Sequence, residues 1–278
     1  MYHKHILSVC IPSYNTERYI HDTIISVLNQ TYSDFELIIV DDCSNDNTFE
    51  IVKSFDDPRI KAFRNIINIG AEKNWNKCLS LARGDYIKIL PGDDTLYPAC
   101  LEKQAAILND PRNHDIVLVY CSRDVIDAYG KHVMQAQFPG KGRISRQVLV
   151  RKNIRHGMNV IGEPGAVLFR SAVAQKAGWF DARLPYLLDL TYWTKLLDHG
   201  DAFALRETLC TFRLSGNNWS FALGKNRRDN YISYIKKCIA NKNYKINYTD
   251  VRFGIFRVYI NELLRSILYL YLTRIRNT

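Results

Sequence analysis

The chain has 278 residues, 47% hydrophobic and 24% charged, an ordinary globular composition with room for one large domain or two small ones. Its seven scattered cysteines form no C-x-x-C pair, which argues against a disulfide frame or zinc site and for reduced thiols in a cytoplasmic protein. Net charge is +10, yet residues 225–278 hold twelve Lys/Arg against three Asp/Glu, so a nearly neutral body carries a basic tail suited to an anionic surface.

The N-terminal apolar run is too short for a secretory leader, and no long stretch lacks charge, so no spanning helix is expected. Ile6–Ile11 is the first predicted strand. Asn15 or Thr16 can cap a helix with its stripe at Ile20, Ile24, Val27 and Leu28. Leu37–Val40 is the second strand. Ser44 or Asn47 can cap the helix that carries Phe49, Val52 and Phe55. Ile60–Phe63 is a short strand, Ala71–Ala82 a helix stopped at Arg83-Gly84, and Tyr86–Leu90 the next strand. This alternation predicts right-handed crossovers and a mainly parallel sheet.

Beyond Pro98, a helix (Ala99–Leu108) precedes a strand at Ile116–Tyr120. Residues 128–160 are polar and Gly-rich and read as a long irregular segment. Gly165–Phe169 returns as a strand, Leu187–His199 has helical spacing, and Phe203–Phe212 is a last strand or hairpin. In the tail, Phe253, Phe256, Ile260, Leu263, Leu264, Ile267, Leu268 and Tyr271 recur at helical spacing. They form one broad apolar face, with Arg257, Asn261, Glu262, Arg265 and Arg276 away from its centre. That basic amphipathic helix can lie in a membrane interface, or pack on the body or on a second copy of the chain.

Two predicted strands end in paired carboxylates: Leu37–Val40 runs into Asp41-Asp42, and Tyr86–Leu90 runs through Pro91-Gly92 into Asp93-Asp94. Paired Asp at a buried strand end is costly unless the charges meet water, a cation or donors. Ligands of open α/β sheets bind at these carboxyl ends. The two ends therefore suggest one shared site for a divalent cation, for hydroxyl and N–H donors, or for both.

Five ordered blocks carry a resemblance. They are Ser8-Val9-Cys10-Ile11-Pro12-Ser13-Tyr14-Asn15, Ser26–Tyr32, Glu36–Thr48, Asn68–Asn74 and Gly84–Asp94. Together they closely resemble the start of family 2 glycosyltransferases, densely over residues 6–95 and sparsely to about 220. The resemblance implies the glycosyltransferase A fold, a Rossmann-like α/β domain with a C-terminal helical extension here. It implies a nucleotide-diphosphate sugar donor and Mn²⁺ or Mg²⁺ as cofactor. The expected division is a catalytic domain over 1–224, with a nucleotide-binding half (1–98) and an acceptor-binding half (99–224), followed by the extension at 225–278.

The resemblance also assigns residues. Asp41 or Asp42 corresponds to the base-binding Asp, able to accept from a uracil N–H or ribose hydroxyls. Lys73 matches the Arg/Lys of the next helix. Pro12, Tyr14 and Asn15 leave the first strand toward the same edge. Asp93 aligns with the metal-binding Asp and Asp94 follows it, whereas Pro91 replaces the first Asp of the fuller motif. Gly165 falls in the block near the donor sugar, where glycine lets backbone approach closely. Asp189, ahead of an aromatic-rich helix, is the candidate base, with Leu188 in place of a frequent Glu; as an isolated Asp it can equally be a helix N-cap. Trp193 is a candidate acceptor wall, although an aromatic at helical spacing is more often core. Arg213 can reach the diphosphate; Ser220 belongs to the same late block, and Ser215 stands where His is common.

The expected activity is inverting sugar transfer, with a UDP-sugar as donor and a saccharide or lipid-linked saccharide as acceptor. Work at the inner face of the cell membrane, in cell-surface polysaccharide or lipid-linked oligosaccharide synthesis, follows from the basic tail. The alternative is a sugar-nucleotide- or carbohydrate-binding protein of the same fold without turnover. Nucleic acid is not an expected partner, because no recognition module accompanies the tail.

Overall fold

The computed structural model describes residues 7–137, 140–214 and 226–275, with side chains described as far as residue 264. Strands β1 (Leu7–Ser13) and β2 (Phe35–Asp41) are buried along their whole length. Leu7, Val9, Ile11, Leu37 and Ile39 enter one apolar layer, while Cys10, Ile38 and Val40 enter the other. Such period-two alternation with both faces apolar marks strands covered by helices on each side. β3 (Ile60–Arg64) and β4 (Tyr86–Ile89) join in parallel, giving the order β3-β2-β1-β4. The strand order reverses at β1. The carboxyl ends of β1 and β4 therefore flank the crevice where ligands of such sheets bind.

The second half is mixed. β5 (Ile116–Asp127) is far longer than expected and pairs with β6 (His132–Ala136) in antiparallel fashion. β7 (Gly142–Ile144) lies at the far edge, antiparallel to its neighbour. β8 (Val167–Arg170) runs antiparallel between β4 and β5, and β9 (Asp201–Leu214) is one long strand parallel to β5. Helices α1 (Ile20–Leu28), α2 (Thr48–Lys53) and α4 (Cys100–Asn109) cover one face. α3 (Ala71–Leu81), α5 (Arg146–His156), α6 (Ser171–Ala177) and α7 (Leu188–Leu197) cover the other.

Several expectations change. Residues 128–160 hold β6, β7 and α5 rather than an irregular segment. β6 is an exposed strand with no apolar alternation, and α5 buries Leu149, Val150, Asn153 and Ile154 amid charged residues, so neither shows a clear period. α1 has no side-chain cap. Asn15 instead bridges two loops, its N–H donating to Ser44 Oγ at 2.9 Å and its Oδ1 accepting from Asn45 N at 2.9 Å. Asp46, not Ser44 or Asn47, accepts from the Thr48 N–H at the start of α2 (3.0 Å).

The tail forms α8 (Arg227–Ala240) and α9 (Tyr248–Ile275). Tyr231, Tyr234, Ile235 and Val258 share the apolar layer of the body. Gly157 and Gly254 let α9 lie directly on α5: a Cβ at Gly254 would stand 2.4 Å from Ile154 O. Asn261 donates to the terminal carbonyls of α5, His156 O at 2.8 Å and Gly157 O at 2.9 Å. Buried Asp250 pairs with Arg151 at 2.9 Å and Arg155 at 3.3 Å. Of the expected apolar stripe, Phe253, Phe256, Leu263 and Leu264 are exposed rather than packed on the body, and Ile267, Leu268 and Tyr271 lie outside the described side chains. No described helix is long and apolar enough to cross a membrane.

Candidate active site

The crevice at the strand-order reversal collects most of the expected residues. At its nucleotide side, Tyr14 is half exposed just past β1. Lys73 is exposed on the first turn of α3. Pro12 does not join them. It is buried within β1 opposite Val40, so its side chain is part of the sheet.

Asp41 and Asp42 are buried at the same edge, and their oxygens hold the surrounding loops. Asp41 accepts from Ser44 Oγ and from Ser44 N (3.1 Å), and Arg64 Nε lies 3.3 Å away. Asp42 accepts from Asn65 Nδ2 (2.6 Å), Ile69 N (2.9 Å) and Gly70 N (2.9 Å). A carboxylate has about four acceptor directions, so each Asp retains one. Gly70, with φ of +84°, makes the turn that brings its N–H to Asp42 at the start of α3. Sequence reasoning missed Arg64, the cation above Asp41, because nothing local in β3 marks it.

At the acidic turn, the Pro91 carbonyl accepts from Asp94 N (3.1 Å) and closes the turn. Gly92 lets the turn press on the exit of β1, where a Cβ would stand 3.1 Å from Thr16 Oγ1. Arg213 meets this turn: its N–H donates to Asp94 Oδ1 and its Nε to Asp93 O, both at 2.8 Å. Burial pushes the Asp93 carboxyl up to about 6, against the pull of Arg213. Burial, and then Asp93, push Asp94 well up as well. Ser215 and Ser220 lie outside the described residues.

The chemistry of this turn suits a hard cation. Two carboxylates made costly by burial would be relieved by positive charge, and oxygen ligands are what Mg²⁺ and Mn²⁺ prefer. No group of three potential ligand side chains occurs among the described residues. A cation there would take Asp93 and Asp94 from the chain, with donor phosphates and water completing its shell.

Asp189 sits on the first turn of α7, partly exposed. It is no N-cap, since Leu187 precedes the helix. Its Oδ1 accepts from Leu190 N at 2.6 Å and its Oδ2 from Asn159 Nδ2 at 2.9 Å. Burial, and next the charge of Glu163, push its carboxyl up to about 7. Glu163 also raises Asp94, so it stands electrically between base candidate and acidic turn. It pairs with Arg123, whose Nη2 donates to it at 2.8 Å. Neither Arg123 nor Asn159 carried a signal in the sequence, because each acts across 30 or more residues.

Gly165 packs closely against the end of β4 and the acidic turn. A Cβ there would stand 3.2 Å from Leu90 Cδ1 and 4.0 Å from Asp94 Oδ2. Lys88, fully buried in β4, holds the loop from below by donating to Gly165 O at 2.8 Å and Val167 O at 3.2 Å. Trp193 is a correction. It is 0% exposed and has no surface for an acceptor. Its ring packs among Phe169, Phe180 and Tyr192, and its Nε1 donates to Gly162 O at 3.1 Å. A bulky aromatic one α7 turn beyond the base candidate is core here, and its N–H steadies the loop.

Comparisons with known proteins bear on the family and the fold. The sequence profile of the family described as "Glycosyl transferase family 2" matches residues 8–175. An uncharacterized protein of Mycobacterium tuberculosis is 33% identical over 217 residues, 74% of this chain and 64% of that protein. An uncharacterized glycosyltransferase of Rickettsia typhi is 30% identical over 215 residues, 75% of this chain and 64% of its own length. The match thus spans under two thirds of both relatives. Among solved structures, Staphylococcus aureus TarS 1–349 in complex with UDP-GlcNAc superposes with a TM-score of 0.69 at 19% identity, covering 91% of this chain and 71% of that one. Mannosyltransferase PcManGT from Pyrobaculum calidifontis, in complex with GDP-Man and Mn2+, gives 0.61 at 16% identity, covering 96% and 80%. These likenesses establish the glycosyltransferase A fold.

Proposed function

The chain belongs to glycosyl transferase family 2, and from that premise we propose that it transfers a sugar, hexosyl or N-acetylhexosaminyl, from a UDP-sugar to an acceptor hydroxyl with inversion. The observation that carries this reading is the convergence of Asp189, Glu163, Gly165 and the Asp93-Asp94 turn on one sheet edge. The UDP preference is supported by the UDP-GlcNAc complex of TarS, and a divalent cation by the Mn2+ complex of the mannosyltransferase.

Tyr14 flanks the base, and the remaining acceptor direction of Asp41 takes its N–H once Arg64 swings aside. Lys73 approaches the nucleotide from α3. Asp93 and Asp94 would hold Mn²⁺ or Mg²⁺, which would supply positive charge to neutralise the departing diphosphate. Gly165 leaves room for the donor sugar. Asp189 accepts the proton of the acceptor hydroxyl as that oxygen attacks the anomeric carbon from the face opposite the diphosphate. A carboxyl near neutrality suits that task, being both ionised and basic enough to take a proton.

The test is transfer from UDP-, GDP- and dTDP-sugars by Asp189→Asn and Asp93→Ala. Asp189→Asn should lose about 100- to 10,000-fold in kcat while still binding UDP. Full binding without turnover in the wild type would favour a sugar-nucleotide-binding protein. Transfer untouched by both substitutions would sink the site.

The acceptor is a lipid-linked saccharide at a membrane face, and the tail supports this. Phe253, Phe256, Tyr259, Leu263 and Leu264 are exposed together on α9. Arg155, Arg228 and Arg252 lie over the rings of Phe253, Tyr259 and Tyr248, at 5.8, 5.4 and 5.6 Å. An apolar face rimmed by cations fits an anionic bilayer interface. Co-sedimentation with phosphatidylglycerol vesicles, lost in Phe256→Glu/Leu263→Glu, is the expected result. Dimerisation in solution without vesicle binding would assign the face to a second copy of the chain.

A further inference from the structure

We propose that Asn159 is a positioning residue for the reaction: its carboxamide fixes the orientation of Asp189 and couples it to the loop that carries Gly165. The proposal rests on the reading of Asp189 as base. Asn159 follows the Gly157 turn that ends α5. Its Nδ2 donates to Asp189 Oδ2 at 2.9 Å and to Gly162 O at 3.0 Å. Its Oδ1 accepts from Ile161 N at 3.0 Å and Gly162 N at 3.1 Å.

This pattern makes the amide orientation unambiguous. A flipped carboxamide would turn its NH₂ toward two N–H donors and its oxygen toward a carboxylate, so the backbone of 161–162 dictates what faces Asp189. Leu190 N occupies the other carboxylate oxygen. With two of about four acceptor directions taken, the base can rotate little and keeps room for one substrate hydroxyl.

The same short loop is pinned at both ends. Val160 N donates to Asn153 Oδ1 at 2.8 Å, Trp193 Nε1 reaches Gly162 O, and Lys88 reaches Gly165 O. The loop that carries Gly165 and the base on α7 are thereby linked, with Asn159 as the side chain that joins them. Glu163 is the charged group of that loop facing Asp189, and it is tied to Arg123 of β5. Asn159 acts against it: a donor on Oδ2 favours the ionised base, whereas Glu163 disfavours it.

The experiment is the pH profile of kcat/KM for wild type, Asn159→Ala, Asn159→Asp and Trp193→Phe, with folding checked by thermal melts. Losing the donor should move the acid limb of Asn159→Ala up by about one pH unit and lower kcat about tenfold, with donor KM within about twofold. Asn159→Asp, nearly isosteric, should move the limb further through like charge, and it decides the matter if the alanine variant does not fold. Trp193→Phe removes the other donor to Gly162 O without touching Asp189, so it should leave the limb in place. An unmoved limb in both Asn159 variants overturns the proposal, as does an equal shift in Trp193→Phe. Wild-type transfer by Asp189→Asn would instead fail the base reading, a separately visible outcome.

Discussion

At the end of β2, Asp41 and Asp42 are wrapped by Ser44, Asn65, Ile69, Gly70 and Arg64. Past β4, Asp93 and Asp94 occupy a similarly deep turn, where Asp94 receives Arg213 N and burial pushes both carboxyls up. The same dipeptide thus does opposite work at the ends of two strands that flank β1. In the first, nearly all acceptor capacity is spent on closing loops, so the charges belong to the fold. In the second, charge is kept without full compensation, which makes the turn attractive to a cation and expensive to the native state.

The sharpest way to break this contrast is to remove one member of each pair. Asp42→Ala strips Ile69 N of its acceptor and leaves Asn65 Nδ2 and Gly70 N only their longer contacts, to Asn74 Oδ1 and Asn68 Oδ1, both at 3.1 Å. Its expected cost is about 3 kcal/mol, a fall of roughly 10 °C in Tm. Asp94→Asn keeps an oxygen for Arg213 N and sheds a disfavoured charge, so Tm should hold or rise. Transfer should nonetheless fall about 100-fold as the cation site loses a ligand. An Asp42→Ala that melts like the wild type, or an Asp94→Asn that unfolds, would erase the contrast.

A second test uses pH. Asp93 and Asp189 have folded pKa values of about 6 and about 7, above the ordinary carboxylate value near 4. The native state therefore holds more protons than the unfolded chain between those limits. The contribution of Asp93 and Asp189 to stability falls as pH rises from about 4 through about 7, opposed in part by His156, whose pKa burial pushes down, and the fall should be smaller in Asp189→Asn. Binding of Mn²⁺ with UDP should strengthen over the same rise, because the ligands must shed their protons. Thermal melts from pH 5 to 8, with and without Mn²⁺ and UDP, read both slopes. A flat profile would mean that the turn is already neutralised within the chain.

How much of this was legible beforehand differs between the same regions. β1, β2 and β4 are buried on both faces, so their mostly apolar runs announce them, and their order implies the crevice. β6 and α5 carry no such pattern, being exposed or charged along most of their length. At the site, the motif gave the carboxylates but not their state. Whether an Asp is satisfied depends on partners such as Asn65, Ile69 and Gly70, whose reach is a property of the folded loop. Asn159, Arg123 and Arg64 were invisible for that reason, since each acts on a residue more than 20 positions away. Helical spacing leaves Trp193 open between acceptor wall and core, because it cannot tell which side of α7 faces the crevice, and burial assigns it to the core.

The finest distinction lies within the first pair. Asp42 is closed by backbone, but Asp41 is covered by Arg64, whose side chain is 41% exposed and also touches Ser44 O at 2.8 Å. Arg64→Ala leaves Ser44 on Asp41 but takes a charge partner from a fully buried carboxylate, so the stability cost should be about 1 to 3 kcal/mol, more than for an exposed ion pair. The carboxylate then faces the crevice. If Asp41 reads the nucleobase, this variant should bind UDP as tightly as the wild type or up to about threefold more tightly by calorimetry, a gain of about 0.6 kcal/mol. Tenfold weaker binding would identify Arg64 as the group that meets the nucleotide. Asp41 would then be as fully structural as Asp42, and the division between the two acidic ends would be complete.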